Sequence, residues 1–198
     1  MQIHKDLIQG SEEWKVKKLG YFSASNASNL FSKPSTQAYQ DLINNVVAGR
    51  CFGVLQESYS NAAMEWGNTY EPFARNWYEL ETFNIVDEVG FIELNDFVGM
   101  SPDGLIGDDG LIEIKCPQLN THTGYLINKV IPKKYYWQMQ FQMYVSHRHW
   151  CDFLSFYPDE NVPNWLERVY RNESDLDKIH ESLTKCIEIA KQRIEVLK

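Results

Sequence analysis

The stretch that decides the fold is Ser101-Pro102-Asp103-Gly104-Leu105-Ile106-Gly107-Asp108-Asp109-Gly110-Leu111-Ile112-Glu113-Ile114-Lys115. Two apolar runs, Leu105-Ile106 and Leu111 to Lys115, flank the turn-forming cluster Gly107-Asp108-Asp109-Gly110, so a β-hairpin is expected. Glu113 and Lys115 are two apart on a strand and share a face. A three-residue loop, Asp108 to Gly110, with its glycine left-handed would pair Gly107 with Leu111, Leu105 with Glu113 and Asp103 with Lys115. Asp103 would then lie diagonally beside Glu113, on the same face and within side-chain reach. Two carboxylates so placed repel unless a cation sits between them. A hard divalent ion suits oxygen ligands, and such a site can clamp a phosphate and activate water. Lys115 would orient the nucleophile or neutralise developing charge. In isolation this pattern favours a plainer reading, a solvated hairpin with a surface ion pair.

Outward from the hairpin, the N-terminal third reads as helical. Ser11 caps a short helix carrying Trp14, Val16 and Leu19, and Ser23 to Phe31 is a second. Thr36 to Gly49 has helical spacing at Tyr39, Leu42, Ile43 and Val46. Asn61 to Thr82 is a longer helix with Met64, Tyr70, Phe73, Ala74, Trp77 and Tyr78 toward a core. Ile85 to Leu94 is β-rich with a bulge or bend at Gly90, and Phe97 to Asp103 continues the strands. Lys134 to Val145 lacks Gly and Pro and reads as a helix. Cys151 to Tyr157 and Trp165 to Tyr170 are strands. Ser174 caps a last helix striped by Leu176, Ile179, Leu183, Ile187, Ala190, Ile194 and Leu197. The expected layout is α/β or α+β in one domain over 1–198. It has a helical part over about 1–82, a sheet and helix over about 83–170, and a C-terminal helix over about 174–197.

Composition narrows the classes. The 198 residues are 43% hydrophobic and 23% charged, which excludes a disordered or low-complexity chain. No apolar run reaches the ~18 residues of a membrane span. The opening MQIHKDLIQGSEEW has no apolar core, so no secretory leader is expected. Cys51, Cys116, Cys151 and Cys186 form no CxxC pair, so reduced thiols are expected and an iron–sulfur cluster or structural zinc is not. Nineteen basic against 27 acidic residues give a net charge of −8, which taken alone argues weakly against a nucleic-acid binder.

Four segments, in order, resemble the PD-(D/E)XK nucleases, and within them the lambda-exonuclease-like (YqaJ) group of phage recombination exonucleases. They are Gln9-Gly10-Ser11-Glu12-Glu13-Trp14 through Leu19-Gly20 and Ser23-Ala24-Ser25; Trp66-Gly67-Asn68-Thr69-Tyr70-Glu71 with Ala74-Arg75; Ser101 to Leu105 with Glu113-Ile114-Lys115-Cys116-Pro117; and Tyr135 through Trp137-Gln138-Met139-Gln140. They span about residues 9–145. The resemblance implies a restriction-endonuclease-like core, a central mixed sheet flanked by helices. It also implies a metal-dependent 5′-to-3′ exonuclease that resects duplex DNA ends and leaves 3′ single strands for recombination by annealing. Asp103, Glu113 and the Ile114 carbonyl would hold the metal, with two Mg2+ ions per site and Mn2+ as a substitute. Glu71 would assist at a second metal or its water, Lys115 would position the attacking water, and Gln138 would line the site. Lys18, where the best-known relative has arginine, and Ser25 would contact the 5′ phosphate. Their alternative is a solvated basic helix face with Lys15 and Lys17.

Other features take a plainer reading. Trp14, Trp66, Trp77 and Trp137 are expected in the core. Met64 is expected in the core too, with a wedge between DNA bases as its other role. Lys129, Lys133 and Lys134 form either part of a DNA groove or a solvated loop. The resemblance further implies a homotrimeric ring around DNA, a phage single-strand annealing protein as partner, no membrane association, and a phage- or prophage-encoded protein in the bacterial cytoplasm. A ring reconciles an acidic exterior with a basic lumen. A restriction or repair endonuclease and an inactive DNA-binding relative are the alternatives.

Overall fold

Gly110–Lys115 (β6) is the middle strand of a five-stranded sheet in a computed structural model that describes residues 1–54 and 62–198. The remaining strands are β1 (Gln2–His4), β2 (Val86–Asp87), β3 (Phe91–Asn95), β4 (Val98–Met100), β5 (Gly104–Ile106), β7 (Trp150–Ser155) and β8 (Trp165–Tyr170). The helices are α1 (Glu12–Lys17), a 3-10 helix (Ala24–Phe31), α2 (Gln37–Phe52), α3 (Ala62–Thr82), α4 (Leu119–Asn128), α5 (Lys133–Ser146) and α6 (Glu173–Val196). The main sheet has the order β2-β5-β6-β7-β8. Only β6 and β7 are parallel, because α4 and α5 carry the chain across between them. A second sheet has the order β1-β3-β4. The mixed α/β architecture expected from the sequence is the one found.

Strand β6 is covered on both sides, which explains its near-continuous apolar run. Ile112 and Ile114 face α3, through Ala74 and Tyr78. Leu111 faces a larger core built from α5, α6, α2 and the 3-10 helix. Helix α5 buries Trp137, Met139, Phe141, Met143 and Val145, so it has no single apolar stripe. Its buried glutamines are satisfied. Gln140 donates to the Tyr170 carbonyl (2.9 Å) and accepts from the Asn172 amide (3.0 Å).

The hairpin register differs from the sequence expectation. Leu105 pairs with Leu111 and Ile106 with Gly110, leaving Gly107 to Asp109 as the loop, with Gly107 left-handed at φ +50°. The shift is two residues, one full side-chain period, so no residue changes face. Gly110 stays extended because its missing Cβ makes room for the Trp150 ring. Arg148 secures the turn by donating to the carbonyls of Ile106, Gly107 and Gly110 (3.2, 2.8 and 2.6 Å).

Other boundaries also moved. Ile85 to Leu94 splits into β2 and β3, which belong to different sheets. Gly90 marks the crossing, where a Cβ would strike the Leu7 carbonyl. Asn61 lies outside the described residues, so α3 is followed from Ala62. Within α3, Phe73 is 61% exposed rather than in the core. Helix α6 is capped by Asn172, which accepts the Asp175 amide, not by Ser174. Cys186, not Ile187, lies in its buried seam, and Leu197 is exposed. Strand β1 and helix α4 had no strong sequence signal. Ser11 caps α1 as expected, accepting from Trp14, and Thr36 caps α2 by accepting from Tyr39. All four cysteines are free, and no helix among the described residues is long and apolar enough to cross a membrane.

The end of α2 fixes the segment after α1. Gly20 is left-handed (φ +76°), and Gly49 lies so close that a Cβ there would meet the Gly20 backbone. Arg50 donates to the Gly20 carbonyl (2.9 Å) and lays its guanidinium 3.9 Å from the Phe97 ring centroid. Gly49→Ala is therefore expected to destabilise the fold by about 1–3 kcal/mol, despite alanine's better helix propensity. A urea midpoint equal to or above wild type would contradict this contact.

Candidate active site

The hairpin supplies the first carboxylates. Continuing its register sets Asp103 beside Glu113, and Asp103 Oδ2 accepts the Ile114 N–H (2.7 Å). Glu113 is fully buried at the centre of the sheet. Its Oε2 accepts from Gln142 Nε2 of α5 (2.7 Å), and the Lys115 ammonium closes on Oε1 as an ion pair. Glu113 and Lys115 do share a face, as their spacing requires.

Helix α3 brings the third carboxylate. Glu71 lies within electrostatic reach of Asp103, Glu113 and Lys115. Arg75, one turn later, donates to Glu71 Oε1 (2.9 Å) and to the Asp103 carbonyl (3.4 Å), and pairs with Glu88 (3.0 Å). Pro72 has no N–H to give the Asn68 carbonyl, four residues back. Asn68 and Glu71 line a cleft of about 530 Å3 with Met64, Ile114, Lys115 and Tyr135.

The electrostatics follow from this crowding. Burial, then the nearby Asp103 charge, push both Glu71 and Glu113 up to about 7. Burial pulls the Lys115 pKa down, but Glu113 and Asp103 outweigh it and the net direction is up. The ionised Glu113 and Asp103 beside it thus favour the ammonium form of Lys115.

The donor set suits a hard divalent cation. Three carboxylates and the Ile114 carbonyl offer oxygen donors, and Glu71 and Glu113 resist ionisation beside Asp103. No three Asp, Glu, His or Cys side chains among the described residues form a ready-made cage. Mg2+ does not require one, because it keeps several waters and takes one or two carboxylates.

The structure sorts the remaining sequence candidates. Met64 is 49% exposed on the cleft rather than in the core. Gln138 is half-buried one turn before Gln142, and it is Gln142 that reaches Glu113. Gln142 was not singled out in the sequence, and Arg75 entered only as part of the Glu71 segment, without a role. Each lies four residues from a candidate that was, Gln138 and Glu71, on the same helix face. Trp137 is buried. Trp14 is a tether instead, donating to the Gly90 carbonyl (3.0 Å) and Ser101 Oγ (2.8 Å). Trp66 and Trp77 are half-buried.

The basic face of α1 dissolves into three different roles. Lys15 pairs with Glu12 (2.6 Å) and Lys17 with Glu93 (2.7 Å). Lys18 lies 3.7 Å from the Trp14 ring centroid, and burial lowers its pKa to about 8. Ser25 is exposed in the first turn of the 3-10 helix, 3.2 Å from Ser23 Oγ. Glu93 also accepts from His4 (2.7 Å) and Tyr21. Burial would raise its pKa, but these donors hold it at about 2.

Gln142→Leu leaves a buried carboxylate oxygen without its amide donor. It is expected to cost about 1–3 kcal/mol by urea denaturation. Gln138→Ala should cost less, and the reverse order would misassign the glutamine that supports Glu113.

The comparisons with known proteins agree with this geometry. The model for the YqaJ-like viral recombinase domain matches residues 13–149. An alkaline exonuclease from Laribacter hongkongensis, LHK-Exo, is 34% identical over 94% of this chain and 96% of its own, with a TM-score of 0.86. Its complex with dAMP superposes equally well, with 35% identity over 95% and 96%. A phage-related exonuclease from Haemophilus somnus 129PT shares the fold at 16% identity, with 93% and 99% covered and a TM-score of 0.72. A curated relative from Acanthamoeba polyphaga mimivirus, the uncharacterized protein R354, is 26% identical over 92% of this chain. The chain spans about a third of that protein's length (34%). With the family model covering more than half of the sequence, and Asp103, Glu113 and Lys115 gathered on one hairpin, the chain belongs to the YqaJ-like viral recombinase family.

Proposed function

We propose that this protein is a metal-dependent 5′-to-3′ exonuclease that resects double-stranded DNA ends for recombination by annealing. The observation that carries the reading is that Glu71, Asp103, Glu113 and Lys115 lie within electrostatic reach of one another, with Glu71 and Lys115 lining one cleft, in a chain 34% identical to an alkaline exonuclease. Asp103, Glu113 and the Ile114 carbonyl would hold Mg2+, with Glu71 available to a second ion. When bound, Mg2+ supplies Lewis-acid stabilisation of the phosphate and an acidified water. Water attacks phosphorus, the P–O3′ bond breaks, and the leaving oxygen takes a proton. The products are a 5′-mononucleotide and a strand with a fresh 5′ phosphate. Lys115 positions the attacking water and donates to the charge that grows on the phosphoryl oxygens. Gln142 and Arg75 hold the Glu113 and Glu71 carboxylates in place. Lys18 and Ser25 grip the terminal 5′ phosphate, which each cut regenerates. Met64, exposed on the cleft, would wedge the terminal base pair. A homotrimeric ring and a single-strand annealing partner complete the proposal.

The deciding experiment is digestion of linear beside closed-circular duplex, with Mg2+ or EDTA. Linear DNA alone should be consumed, and only with the metal. Cutting of the closed circle would favour an endonuclease, and no cutting of either a binding module. Asp103→Asn and Glu113→Gln should each abolish cleavage with an unchanged circular-dichroism spectrum. Substantial Mg2+-dependent activity in either would remove these carboxylates from the metal site.

The low pKa of Lys18 gives a second test. Its folded value, about 8, lies below the 10.5 of an ordinary lysine, so free protein loses this charge as pH rises through 8. The kcat/KM preference for 5′-phosphorylated over 5′-hydroxyl ends, which reports the free enzyme, should be flat below pH 8. Above it the preference should fall by up to about tenfold per pH unit. Lys18→Arg should hold it flat to higher pH. A constant preference to pH 10 in the wild type would exclude Lys18 from the end pocket.

A further inference from the structure

Three lysines lie just before or at the start of α5, and the structure gives each a different place. Lys129 ends α4 in a left-handed conformation (φ +49°), with its ammonium 5.5 Å from the Trp165 ring centroid. Lys133 is an exposed first residue of α5. Lys134 lines the catalytic cleft, its ammonium 4.5 Å from the Tyr135 ring centroid. The Lys115 ammonium approaches the same ring, at 5.2 Å.

These two cations on one ring differ in how their charge is met. Lys115 is matched by Glu113 within the protein. Lys134 is exposed and makes no ion pair with a carboxylate among the described residues. The ring quadrupole attracts it but does not neutralise it. The ring also restrains a side chain that is otherwise a long flexible stem. The cleft therefore holds one cation spent on the catalytic carboxylates and a second still available to an anion. A DNA strand whose scissile phosphate meets Lys115 offers such an anion in the next phosphate along.

We propose that Lys134 binds the phosphate adjoining the scissile one on the strand being cut, with Tyr135 setting its spacing from Lys115. This rests on reading the cleft as a phosphodiester site. Lys134 acts on ground-state binding, whereas Lys115 acts on the charge developed during cleavage.

The test is binding of a 5′-phosphorylated duplex end in Ca2+, measured by fluorescence anisotropy across a salt series, beside steady-state cleavage in Mg2+. Lys134→Ala should weaken binding about tenfold at low salt and flatten the plot of log K against log salt by about one unit. Its KM should rise while kcat stays within about twofold of wild type. Lys134→Arg should restore both affinity and slope, and Lys133→Ala should change neither. An unchanged slope in Lys134→Ala, an equal effect of Lys133→Ala, or a fall in kcat with affinity intact would each overturn the proposal. If wild-type protein neither binds nor cuts duplex ends, the phosphodiesterase reading itself fails. That result is distinct from a wild type that binds with a slope Lys134 does not affect.

Discussion

The Glu113 carboxylate is wholly buried in the central strand, and a charge there persists only where opposite charge and hydrogen bonds offset its lost hydration. Lys115 supplies the charge from the same strand face, and Gln142 supplies the hydrogen bond from α5. That demand shapes the surrounding architecture. A helix bringing a glutamine to the middle of the sheet must itself be buried, and α5 is buried on almost every side. Its partners are the 3-10 helix, α6, β3, β4, β6 and β7. The parallel pairing of β6 with β7 follows from the same crossover.

Opposite the α5 side, α3 brings Glu71 to the carboxylates and crowds them further. Burial and like charge leave Glu71 and Glu113 reluctant to ionise. A site in this condition is poised for a cation, because a divalent ion removes the repulsion and the desolvation penalty together. The cost is borne by well-packed surroundings: Ile112 and Ile114 against Ala74 and Tyr78 on one side, and Leu111 against the larger core on the other.

The stretch from β1 to Tyr21 buries no side chain fully and is attached largely by polar contacts. Glu93 gathers His4, Lys17 and Tyr21, Trp14 reaches Gly90 and Ser101, and Arg50 holds Gly20. Its held-down pKa keeps Glu93 charged. The stability it contributes is present above the ordinary carboxylate range and is lost only as pH falls toward 2. These tethers fix the stretch from Trp14 to Tyr21, within which Lys18 lies.

Much of this was legible in the sequence because it is local. Side-chain parity put Glu113 and Lys115 on one face, and the two-residue register error left that face intact, since strands repeat every two residues. Ser11 announced its helix because a cap bonds an amide three residues on. What tertiary structure decided involves distant parts of the chain. Gln142 rather than Gln138 meets Glu113, because the two share a helix face one turn apart and the position of α5 along β6, which selects between them, is set by the whole core and not by its own W-Q-M-Q-F-Q-M pattern. Lys134 faces the cleft while Lys129 and Lys133 do not, because helix direction and a left-handed residue at 129 aim neighbouring side chains apart. Met64 lines the cleft, although its apolar character alone argued for the core. Sequence spacing specifies which side chains share a face; only the packing of one element on another specifies what that face meets.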